Sequence, residues 1–133
     1  MNQRTLLLAA CMCAAQYAPA QNGNVSQWVG VWEGQLNDRP GMTVTLGNDA
    51  GDLQGTIVFN FFGPEGSGEA HVIGHDAHVL THMDVHDSTL SFQAKQGDSR
   101  ELHFSMKLTA DGKAVLNCAD CGEAPSIELN RIP

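Results

Sequence analysis

Gly30-Val31-Trp32-Glu33-Gly34-Gln35-Leu36, then Met42-Thr43-Val44-Thr45-Leu46 after a turn, is the stretch that decides how the rest of the chain reads. In the second run Met42, Val44 and Leu46 share one face and Thr43 and Thr45 the other, the period of a strand with one side buried. Between the two runs, Asn37-Asp38-Arg39-Pro40-Gly41 is built from turn-forming residues. The stretch therefore predicts two strands joined by a turn.

The same alternation continues downstream. Asn48-Asp49-Ala50-Gly51-Asp52 is a second turn, and Leu53 to Phe62 follows with Leu53, Ile57, Phe59 and Phe61 on one face. Gly55 interrupts that face and allows a bend. Further runs are Leu90 to Ala94 and Leu102 to Leu108, the second being the cleanest period-two stretch. Asp111-Gly112 turns the chain into Ala114 to Cys118, and Ile127-Glu128-Leu129 closes the pattern. Gly63 to Gly68 reads as a loop, and no window has helical periodicity. Eight or nine short strands, each with one apolar face, must share one core. The expected fold is all-β, a single closed or nearly closed antiparallel up-and-down barrel of about eight strands.

Gly30 and Trp32 on the first strand, with Arg131 on the last, resemble the calycin group of barrels: lipocalins, fatty-acid-binding proteins, avidins and nitrobindin-like proteins. The resemblance implies that Trp32 plugs the closed end and that the Arg131 guanidinium lies across its indole, a cation–π contact. Gly30 to Phe59 looks like the opening three strands of avidin-like and small exported lipocalin-like proteins. The resemblance implies the architecture; the function expected of it is a non-catalytic binding protein for a small apolar or amphipathic ligand, with no cofactor. No tryptophan follows Trp32, so the biotin pocket of avidins is not carried over. Arg131-Ile132-Pro133 lacks the tyrosine of the fatty-acid-binding Arg-x-Tyr, and no histidine follows His103 to hold haem. Inward candidates to line a ligand site are Phe59, Phe61, Leu90, Phe92, Phe104 and Met106, which equally suit a plain core.

The N-terminus reads differently. Arg4, the apolar run Leu6 to Ala15 and the small-x-small Ala18-Pro19-Ala20 form a signal peptide over residues 1–20, with cleavage before Gln21. A rival reading takes Leu8-Ala9-Ala10-Cys11 as a lipobox, anchoring the protein through Cys11. Either way the chain is expected to be exported, periplasmic or secreted, with residues 21–133 as the barrel domain. No apolar run is long enough to cross a membrane as a helix.

Of the 7 basic residues, Arg4 leaves with the signal, so 6 remain against 15 acidic ones. No Lys/Arg cluster exists, which argues against nucleic acid as a partner. Cys118-Ala119-Asp120-Cys121 reads as a short-loop disulfide; a redox site would want a helix N-terminus beside it to lower a thiol pKa. No nucleophile, metalloprotease or phosphate-loop motif is present, so no enzyme activity is expected.

His71, His75, His78, His82 and His86 would form one stripe of a helix, but Val72, Ile73, Gly74, Val79, Thr81 and Val85 oppose one. As a strand, the segment is expected to turn Val79, Thr81, Met83 and Val85 to the core and His78, Leu80, His82 and Asp84 outward. His78 and His82 would then stand ~13 Å apart. A weak transition-metal site drawn from His71, His75, His78 and His82 would need ligands from elsewhere. Solvated histidines, or a surface charge that responds to pH, are the plainer readings. A further alternative is a protein-interaction module that inserts a loose polar segment, Gln21 to Gln27, into a partner.

Overall fold

A computed structural model describes residues 24–36, 38–63, 71–96 and 100–133. The expected signal peptide, Cys11, residues 21–23 and most of the Gly63 to Gly68 loop lie outside the described residues.

Eight strands follow one another in the chain and in space: β1 (Gly30–Leu36), β2 (Arg39–Asp49), β3 (Asp52–Phe62), β4 (Val72–His86), β5 (Thr89–Gln96), β6 (Arg100–Leu108), β7 (Ala114–Cys118) and β8 (Ile127–Ile132). Each pairs antiparallel with its neighbour, and β1 also pairs with β8, which closes the barrel. The fold is thus the all-β, closed, eight-strand up-and-down barrel that the alternation calls for. Met42, Val44 and Leu46 of β2 and Leu102, Phe104 and Met106 of β6 all point inward and are buried. Closure leaves no free sheet edge along the seam where the first and last strands meet.

One end is shut by tryptophan. Trp28 and Trp32 are both fully buried, with ring centroids 6.5 Å apart. The Trp32 indole N–H donates to the Trp28 carbonyl at 3.0 Å, so the plug is bonded to itself. Arg131 sits opposite Trp32 in the β1–β8 register and holds its guanidinium carbon 4.5 Å from the Trp32 ring centroid. Its Nη2 also donates to the Gln27 carbonyl. Gly30 enters this floor with φ at 140°, a conformation that glycine adopts without the Cβ penalty other residues meet.

The floor corrects one expectation. Residues 24–27 are not a loose polar tail: Val25–Gln27 form a 3-10 turn capped by Asn24. The Gln27 amide nitrogen also donates to the Asp87 carbonyl at 3.2 Å. A polar segment is ordered here because Trp28, directly after it, is a core residue.

β4 corrects a second. Val79 is 69% exposed and Thr81 is also exposed, whereas Leu80 is buried. Met83 and Val85 do pack against the core. The phase flips between them because Thr81 faces Gln93 and Asp84 faces Ser91, leaving two residues against one. This is a β-bulge, and His82 sits in it with a left-handed φ of 51°. Ahead of the bulge even-numbered residues point inward; beyond it odd-numbered ones do. His78 therefore faces the barrel interior, not the outside.

Candidate functional site: the barrel mouth

The end opposite the tryptophans is open. Neighbouring strands run antiparallel, so the mouth is made by the ends of odd strands and the beginnings of even ones. A cavity of about 490 Å³ opens there, inside the range of small-molecule sites. Its walls are Met42 from β2, Phe59 from β3, Leu102 and Phe104 from β6, Leu116 from β7 and Ile127 from β8. Phe61, 52% exposed, stands at the rim.

The lining candidates divide by height. Phe59, Phe61 and Phe104 line the cavity. Phe92, Leu90 and Met106 are buried in the core and are not part of its wall. Phe92 stacks on Phe104, centroids 5.4 Å apart, and so supports the cavity wall from behind. Met42, Leu102, Leu116 and Ile127 are wall residues that aromatic content alone does not point to. Their signal is position: inward-facing residues on the half of each strand remote from Trp32.

Two titratable side chains from β4 reach into this apolar space. Asp76 and His78 both line the cavity, and His78 Nε2 lies 2.8 Å from Asp76 Oδ2. Only 14% of the His78 side chain is exposed, against 47% for Asp76. Phe59 meets the imidazole edge-on, with centroids 6.1 Å apart. Lys95 of β5 is also on the cavity wall; it is exposed and pairs in register with Glu101.

One lip of the mouth is covalently closed. Cys118 and Cys121 form a disulfide with Cα atoms 5.4 Å apart, and both line the cavity beside Ala124 and Pro125. Between them Asp120 folds back onto β6. It accepts from the His103 backbone N–H at 2.8 Å, with the His103 Nδ1 2.6 Å from the same oxygen. Arg100 donates to the Asp120 carbonyl at 2.6 Å. Hydrogen bonding from His103 holds the Asp120 carboxyl below its ordinary value of 3.8.

The remaining histidines do not converge. His75 Nδ1 is 2.7 Å from the Asn60 side-chain oxygen, His71 and His82 are exposed, and His86 stands 3.6 Å from Asp87. Among the described residues no group of three or more His, Cys, Asp or Glu side chains is placed to hold a metal ion. A second concavity, about 710 Å³, runs along the outer wall past Asp52, Gln54, Val79, Thr81 and His82. It is larger, but those five residues are all exposed, so it is a groove in the surface and does not enclose a guest. It follows from the splay of β3 and β4, whose pairing runs from Thr56 to Phe62 on one strand and from Val72 to Val79 on the other.

Compared with known protein families, characterised proteins and solved structures, the chain finds no match.

Proposed function

We propose that this is an exported, non-catalytic binding protein whose barrel mouth takes up a small apolar or amphipathic molecule. The supporting observation is the contrast within one barrel: a floor sealed by two tryptophans and a mouth left unfilled around Met42, Phe59, Leu102 and Phe104. A barrel of this size can be filled by its own side chains. Side chains at the Trp32 end do fill it, and those at the other end do not. Burying a guest against this wall gains roughly 25 cal/mol per Å² of apolar surface, and Phe61 at the rim extends that surface outward. Export is supported by the N-terminal sequence pattern and by the Cys118–Cys121 disulfide, which suits an oxidising compartment.

The test is a titration of the full chain with N-phenyl-1-naphthylamine, a neutral dye that brightens in apolar surroundings. Saturable enhancement at one site per chain is expected. Ala94 is 3% exposed and lies on the cavity wall, so Ala94→Phe should place a ring in the space and abolish the enhancement, with circular dichroism checking that the barrel stays folded. Dye binding that survives Ala94→Phe at full strength counts against the mouth as the site.

A further inference from the structure

Resting on that reading of the mouth, we propose that the preferred guest is an amphiphilic amine: an apolar body with a protonated nitrogen at one end, held by Asp76.

The wall is hydrocarbon and aromatic ring except where β4 brings in Asp76 and His78. Their arrangement sets what kind of head group fits. His78 Nε2 lies against one carboxylate oxygen of Asp76 at 2.8 Å. With that nitrogen as the donor, the second carboxylate oxygen of Asp76 remains an acceptor. The cavity wall thus presents a carboxylate to whatever enters, which asks for a charged donor. Asp76 is the more exposed partner, so it meets the guest at the mouth side while His78, braced by Phe59, orients it. Phe59, Phe61 and Phe104 add ring faces that attract an ammonium. The chain carries a net charge of −8, a field that gathers cations and repels anions at any entrance.

Lys95 is the cation that would suit a carboxylate guest instead. It is exposed, and Glu101 is its cross-strand partner. A carboxylate drawn to it would share the cavity with Asp76. The acidic side chain, fixed by a histidine in the less exposed position, governs the choice.

Displacement of bound N-phenyl-1-naphthylamine from the full chain by decylamine, decanol and decanoate at neutral pH tests this, because the three share a body and differ only in the head. Decylamine should bind about tenfold more tightly than decanoate, with decanol between, the size expected of one charge-assisted hydrogen bond. Asp76→Asn should erase the preference for decylamine over decanol. Equal affinities for the three, or decanoate tightest, overturns the amine assignment while the mouth remains a binding site. The wild-type ranking decides this even where Asp76→Asn fails to fold. If neither the dye nor any of the three ligands binds, the mouth reading falls and the amine assignment falls with it.

Discussion

The two ends of this barrel use the same strands for opposite purposes. At the floor, Trp28 and Trp32 are fully buried, Leu90, Met106 and Leu129 pack above them, and Arg131 covers the indole. At the mouth, Phe59 and Phe61 are only partly covered, and the space between strands is open to about 490 Å³. The difference shows where stability is concentrated. Removing a floor side chain leaves a void in a close-packed region, whereas a mouth side chain already borders empty space and its loss changes less.

The largest effect should therefore come from Trp32→Ala. It should cost roughly 3–5 kcal/mol in denaturant unfolding, the range for removing a buried aromatic ring. Phe61→Ala should stay within about 0.5 kcal/mol, as for most surface positions. Equal costs at the two positions would mean that the mouth is as tightly packed as the floor. Gly55→Ala comes next. A Cβ there would lie on the Thr45 carbonyl oxygen and close to Leu46 Cδ2 at 2.8 Å. Backbone cannot yield as a side-chain tip does, so a loss of about 1–3 kcal/mol is expected by thermal melting. A melting temperature unchanged by Gly55→Ala would show that β2 and β3 separate there more freely than their register suggests.

The smallest effect belongs to the lip. The Asp120 carboxyl is lowered by its bond to His103, so the folded state holds the ionised form more strongly than the unfolded chain does. That contribution is complete above the ordinary carboxylate value of 3.8. It fades as pH falls through the lowered folded value. Asp120→Asn should thus lower stability slightly at pH 7 and flatten the acid limb of the stability–pH curve by the same small amount, so that the two proteins converge in acid. Hydrogen exchange at the His103 amide, which donates to this carboxylate, should report the same loosening in wild type at low pH. An acid limb identical in both proteins would assign it to other carboxylates.

How far the sequence reveals these ends varies by strand. β2 and β6 keep an unbroken alternation, so their inner faces can be read directly from Met42-Thr43-Val44 and Leu102-His103-Phe104. β4 cannot be read that way. Its bulge at His82 inserts one residue and exchanges the faces, and nothing local in Thr81-His82-Met83 announces the slip. The cost of missing it falls on function, since the inward position of Asp76 and His78 depends on which side of the bulge they occupy. Trp28 is hidden for a related reason: it lies outside any strand, directly after the Val25–Gln27 3-10 turn, where no alternation marks it as a core residue. Arg131 over Trp32 is the opposite case. A strand-borne guanidinium and indole at the two ends of the chain are visible as residues, and barrel closure puts them in contact. The cavity itself depends on how eight strand halves fit together, which is a property of volume and not of pattern.

The Arg131 clasp also governs the order in which the molecule can assemble. Its bond to the Gln27 carbonyl spans a sequence separation of 104 residues, and β8 supplies the partner for β1 at Trp32. Hairpins from β2 to β7 need only neighbouring segments and can form early, but ring closure waits for the last strand. Closing so long a loop carries the largest entropic penalty in the topology. Until it happens, β1 offers an open edge and two uncovered tryptophans to any chaperone or aggregating neighbour. The residues that finish the floor are thus also the ones that end this period of vulnerability.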